Sequence, residues 1–295
     1  TIYATNFKSN LVNVINPETG RTVKQIDLSS IPSDIAITDD NRYILVSCLA
    51  SNKIAIIDTV GKHFVKEIDV GKLPNSIVVG VGLDKIFVSN RDSSSISVIN
   101  SKTMEVIKEI KVTGFPENLS ISNDLQTLFY SDTLSQQVYS LDIDDETVLP
   151  LIKVKNVSKI LNNANYLYAL SRSDNVLQIY DLTTDKLIKT VDVSSKPVDM
   201  KISKDGKKLY VLSAGADTLN IIDLNTFENT KAIALKSGGF PKSINIIDSV
   251  NLALISNADS FEITLFDLDN EKVISSLPVA STINSMVITV SSKKQ

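Results

Sequence analysis

Tryptophan is missing from the 295-residue sequence, and cysteine and histidine occur once each, at Cys48 and His63. A lone thiol cannot close an internal disulfide, so cysteine usage neither reports nor excludes an oxidising compartment. The clustered His and Cys of a transition-metal site are absent, and a nucleophilic triad would have to be built around the single imidazole. Glycine (10) and proline (8) are too sparse for a fibrous or disordered chain. No apolar run approaches the roughly 18–20 residues that a membrane-spanning helix needs. Positive charge is not in excess: 30 Lys and Arg face 34 Asp and Glu, for a net charge of −4. Such a chain lacks the broad positive field that phosphate backbones require, which disfavours nucleic acid as the main partner.

What the sequence does contain is repetition. Short apolar stretches ending in Asp or Asn recur at Asn16, Asp58, Asn100, Asp142, Asp181, Asp223 and Asp267, with spacings of 42, 42, 42, 39, 42 and 44. Ten or eleven residues before each lies a hydroxyl: Thr5, Ser47, Ser89, Ser131, Ser171, Ser213 and Ser256. Within a unit the period is that of strands, as in Arg42–Leu49, Lys53–Asp58 and Phe64–Val70, preceded by a fourth run, Asp34–Thr38. No window carries a convincing helical stripe. Four short strands per unit of about 42 residues, a through d, predict an all-β, seven-bladed β-propeller that takes up residues 1–295 as one domain.

The two ends fit a closed ring. Residue 2 starts directly in strand b, while Ser285–Val290 reads as an extra strand a. Pairing the C-terminal strand with the N-terminal set removes the open sheet edges that invite aggregation.

Three segments, Ile2-Tyr3-Ala4-Thr5-Asn6, Phe87-Val88-Ser89-Asn90 and Leu254-Ile255-Ser256-Asn257, resemble the Y-V-T-N signature of YVTN-repeat propellers. The approach Gly71-Lys72-Leu73-Pro74 matches the same family, and Gly114-Phe115-Pro116 is a shortened form. The 39-residue repeat departs most, with Val157-Ser158 where the proline belongs and Asn162-Asn163-Ala164-Asn165 in its a–b turn. The resemblance extends over the whole chain and implies kinship with archaeal surface-layer proteins and YncE-like periplasmic propellers. WD40 propellers match less well, since a chain without tryptophan has no Trp-Asp pair.

Strand a is innermost in a propeller, so its columns predict the channel. The first column is polar throughout (Asp34, Ser76, Asn118, Lys159, Asp199, Ser243, Ser285) and the second apolar throughout (Ile35, Ile77, Leu119, Ile160, Met200, Ile244, Met286). Period-two alternation then predicts polar side chains in a wet channel and apolar ones between blades. The top face, built by the d–a and b–c loops, collects Asp34, Asn118, Lys159, Asp199 and Lys201 from the inner strands and Arg91 and Arg172 from b–c loops. These seven are the candidate ligand-binding residues of a funnel suited to a polar ligand or a peptide end. The plainer reading is that they solvate the pore.

The remaining chemistry is sparse. His63 falls in a c–d turn on the lower outer rim, far from any funnel. Cys48 at the end of strand b reads as a small buried hydrophobe. Asp142–Glu146 and Asp267–Glu271 alternate carboxylates but lack the glycine and loop length of an EF-hand; Asp and Asn cap such turns anyway. The hydroxyl column reads as scaffold. No catalytic residue, metal or cofactor is expected, and the expected partner is a protein, peptide or cell-surface polymer held by the top face. Two alternatives stay open: the propeller subunit of a redox enzyme, and a sensor of calcium or a small polar ligand. The Ser-, Thr- and Asn-rich surface points to an extracytoplasmic protein, while Thr1 in the initiator's place implies a removed signal peptide, removed added residues or a trimmed domain alike.

Overall fold

The computed structural model describes residues 1–289, and Val290 of the expected last strand lies outside them. Seven four-stranded antiparallel sheets stand around a central channel, each running a-b-c-d from inside out. Blade II spans 32–69, with a at Pro32–Ile37, b at Tyr43–Cys48, c at Lys53–Asp58 and d at His63–Asp69. Blades III to VII follow at 74–111, 119–153, 157–192, 197–234 and 241–278. Blade I joins both ends of the chain: Met286–Ile288 supplies its strand a and pairs antiparallel with Ile2–Asn6 in the register Ile2↔Ile288, Tyr3↔Val287, Ala4↔Met286. The only helical element among the described residues is one 3₁₀ turn, Arg91–Ser93.

The repeated residues have repeated jobs. Each Asp or Asn closing strand c accepts backbone N–H bonds from the turn that follows. Asp142 Oδ1 takes Asp144 and Asp145, Asp267 Oδ1 takes Asp269 and Asn270, and Asn100 Oδ1 takes Lys102 and Thr103. Asp142 and Asp267 thus cap their turns, the plain reading of these acidic runs, while Glu146 pairs with Lys108 and Glu271 with Lys208 and Lys231. His63 opens strand d rather than sitting in the turn; its ring is exposed, 3.8 Å from Asp58.

Between neighbouring blades lies an apolar cluster, seven in all, one for each junction. The centre of strand b supplies the largest buried side chains, among them Tyr3, Tyr130, Tyr168, Tyr210 and Phe87. Cys48 is fully buried in the cluster between blades I and II, and burial pushes its thiol up, away from reactivity. Pro150 in strand d of blade IV pairs with Tyr139, and the strand's register shift sits there, at Val138/Tyr139. In the other six blades the c–d shift falls two residues closer to the closing Asp or Asn, as at Ile56/Ile57. A residue without an N–H is tolerated in a ladder where the register breaks, and the break has moved to it.

Candidate functional site

Strand a opens on a bulge, and the bulge shapes the mouth of the channel. In blade II, Pro32 pairs with Cys48 and the ladder resumes only at Ile35↔Val46. The same irregularity opens the inner strands of blades III, V, VI and VII. The amide freed at the bulge is taken by the hydroxyl column. Asp34 N–H donates to Ser47 Oγ (2.8 Å), whose own O–H reaches the Asn75 carbonyl of the next blade (3.1 Å). Ser89 repeats this between Ser76 N–H (2.9 Å) and the Glu117 carbonyl (2.6 Å). Thr5 accepts Ser285 N–H at the closure (3.1 Å). Ser47 and Ser89 are thus buried struts between blades, while Thr5 and Ser131 tie strand b to strand a of their own blade, all of them scaffold.

The following Asn or Asp is also structural. Asn6 Oδ1 accepts Lys8 N–H, Asp132 Oδ1 accepts Leu134 and Ser135 N–H, and Asn90 Nδ2 donates to Ser95 and Ser97 Oγ. The glycine of the d–a approach exists to clear this side chain. At Gly114, with φ +76°, a Cβ would stand 2.0 Å from Asp132 Oδ2.

One expectation needs correction. The polar first column does not simply face water while the second packs between blades; the two point to opposite neighbours. Ile35 packs against blade I, whereas Asp34 reaches forward and accepts Ile77 N–H of blade III at 3.0 Å and Ser76 Oγ–H at 3.4 Å. Asp199 repeats this towards Ile244 N–H (2.9 Å). Ser76, Asp199 and Ser243 are consequently buried. Each carboxylate also accepts the N–H of its own following residue, Ile35 and Met200.

The mouth holds a polar cavity of about 380 Å³, and a second of about 300 Å³ continues it down the channel. Asp34, Asn118, Lys159, Arg172 and Asp199 all line the upper one. Lys201 does not reach the mouth; it lines the lower cavity with Asp34, Lys159 and Asp199. Arg91 lines neither, because its Nε is paired with Glu117 Oε1 at 3.2 Å behind the rim. Within the channel Lys159 Nζ stands 4.0 Å from Asp199 Oδ1. Burial works against the Lys159 ammonium, but Asp199 and Asp34 outweigh it and hold its pKa above the ordinary lysine value. Lys201 goes the other way: burial dominates, the Lys159 charge adds to it, and its pKa falls despite the same two carboxylates. The lower channel is thus a four-charge cage that largely neutralises itself.

The residues that shape the mouth come one position earlier than the polar column. Ser33, Asn75, Glu117, Ser158, Val198, Lys242 and Asn284 occupy equivalent places in the seven blades, and all seven line the upper cavity. Around part of this ring the side chains are zipped: Ser33 Oγ–H donates to Asn75 Oδ1 (2.6 Å), Asn284 Nδ2 to the Ser33 carbonyl (3.2 Å) and Ser158 Oγ–H to the Pro197 carbonyl (2.8 Å). Glu117 is spoken for by Arg91 and by Thr133 Oγ–H (2.6 Å). The signal was available as an aligned column, but its residue types differ from blade to blade and precede the period-two run.

Seven four-stranded blades around a channel with a polar mouth define a seven-bladed β-propeller. The sequence model of the YncE-like beta-propeller matches residues 1–165, more than half of the chain, and the protein belongs to that family. Curated protein sequences return no match. Among solved structures, a functionally unknown protein from Desulfotomaculum acetoxidans superposes with a TM-score of 0.80 at 15% identity, covering 97% of this chain and 98% of that one. Apo AztD from Citrobacter koseri gives 0.74 at 12% identity, with 97% and 96% covered. Hydrazine synthase of Kuenenia stuttgartiensis gives 0.73 at 15%, with 86% and 88% covered. At these identities the likeness speaks for the fold alone.

Proposed function

We propose that the protein is a non-enzymatic binding propeller that works outside the cytoplasm and engages a protein, peptide or polymer through the funnel on its top face. The observation that carries this reading is the convergence of all seven mouth positions on one polar cavity. Six of the seven are polar or charged, two Ser, two Asn, one Glu and one Lys, so the cavity presents an asymmetric pattern on a symmetric frame. Such a surface suits recognition, where a few placed polar groups fix orientation. The lone histidine opens strand d on the periphery and the lone thiol is buried, so neither supplies a nucleophile or base at the cavity. Kinship with periplasmic YncE-like propellers supports the compartment.

Plugging the mouth tests the reading. Val198 lines the cavity from the edge of the apolar cluster between blades VI and VII, so Val198→Trp adds bulk there without removing a side-chain hydrogen bond of the scaffold. Wild-type protein immobilised and exposed to the extracytoplasmic fraction of its host is expected to retain a partner that the Val198→Trp form, melting at the same temperature, does not. Equal retention by both forms, or substrate turnover by pure protein that disappears with Asp199→Asn, overturns it.

A further inference from the structure

The charges of the mouth do not balance side by side. Asp34 and Asp199 each hold two backbone amides and face Lys159, while Glu117 is paired with Arg91. Across blade VI, by contrast, Arg172 from the b–c loop of blade V and Lys242 from the mouth column of blade VII flank the same cavity. Neither forms an ion pair with a carboxylate among the described residues. The Lys242 ammonium instead lies over the Phe240 ring, 4.8 Å from its centre. Burial pulls the pKa of Lys242 down and the Arg172 charge pulls it further, against a smaller opposing effect of the Asp259 carboxylate. Two like charges held together at a half-buried wall cost stability, and an oxyanion between them relieves that cost.

We infer that Arg172 and Lys242 form the anchor for a carboxylate, and that the ligand of the funnel is a peptide carrying a free carboxyl terminus. This rests on the binding reading above and names its ligand. The rest of the cavity selects a peptide over other anions. Among the described residues no aromatic side chain lines the cavity, and the nearby Phe240 ring carries the Lys242 ammonium, so neither nucleobases nor sugar rings find there the stacking face on which they usually rest. The lining does offer Val198 of blade VI, the blade between the two cations, and the amides of Asn75, Asn156 and Asn284 elsewhere around the same cavity. Side-chain amides both donate and accept, as extended backbone requires. Capture of a chain-terminal carboxylate is an established use of convergent donors, and the planar Arg fork meets both of its oxygens.

Two fluorescein-labelled hexapeptide mixtures, identical except that one ends in free carboxylates and the other in carboxamides, are titrated with pure protein at low ionic strength and followed by anisotropy. The acid mixture is expected to bind about tenfold tighter, the effect of one charge-assisted hydrogen-bond anchor. Arg172→Gln and Lys242→Gln should each abolish that preference, whereas Lys72→Gln, on an exposed part of the same face outside the cavity, should leave it. Equal binding of the two mixtures overturns the carboxylate anchor, as does a preference that survives both substitutions. Displacement by inorganic phosphate at lower concentration than acetate makes the pair a phosphate site and overturns it too. Absence of peptide binding also overturns it, yet leaves the broader reading standing if a host partner is still lost with Val198→Trp.

Discussion

A hydroxyl that is hydrogen-bonded on both sides and one that is not can occupy the same place in two blades. Ser47 accepts Asp34 N–H and donates to the Asn75 carbonyl, whereas Ser256 Oγ is buried without a hydrogen-bond partner among the described residues. Removing the first leaves a buried amide and a buried carbonyl unpaired, a loss of about 1–3 kcal/mol. Ser47→Ala is therefore expected to lower the denaturant midpoint clearly, with Ser256→Ala close to neutral. Equal effects would mean that the strut between blades contributes little. At this scale much was readable from sequence, because a residue doing one job seven times leaves a column. The hydroxyl column, the strand c Asp or Asn and the Gly71 and Gly114 approaches all declare themselves in this way. The mouth ring does not: Glu117, Val198 and Lys242 share a place but no chemistry. Arg91 misled for a related reason. Its loop position is right for the funnel, and only the carboxylate one blade further on turns it away.

Among the elements, Met286–Ile288 has the greatest consequence for its size. Three ladder pairs attach it to Ile2–Asn6, Met286 is buried, and Ile283 beside it packs into the junction with blade VII. Met286→Ala is expected to cost about 2–5 kcal/mol, as other large-to-small core changes do. Removing the chain from Ser285 onward goes further, for it bares the whole inner edge of Ile2–Asn6 to pairing with other molecules. The expected result is a lower thermal midpoint with concentration-dependent light scattering; a monomer that melts like the intact chain would contradict it. The closing strand could be foreseen because one unit lacked strand a and another had one too many. The short a–b turn of blade V was visible as well, since Asn162 pairs with Leu167 where the equivalent Ile202 pairs with Leu209. Its effect was not: Asn163 and Ala164 border a cleft of about 620 Å³ between blades IV and V, which only the packing of two units reveals.

At the scale of the whole molecule, the buried tyrosines set an alkaline limit. Burial pushes Tyr3, Tyr168 and Tyr210, in blades I, V and VI, up to about 12 from the ordinary 10.0. Above pH 10 the unfolded chain loses phenolic protons that the folded ring still holds, so the equilibrium shifts towards unfolding. The stabilisation these groups represent is complete below 10 and gone once pH passes about 12. Tyrosinate absorbance and loss of near-UV circular dichroism should therefore rise together between these limits. Gradual tyrosine ionisation with the fold intact would refute this.

Closure also dictates the order in which the ring can come into being. Ile2 has to wait for Ile288, 286 residues further along the chain, before its inner edge is covered. During synthesis six blades can be complete while the first still offers an open strand to every neighbouring nascent chain. The short strand Met286–Ile288, rather than any complete blade before it, decides between a sealed monomer and an exchanged pair.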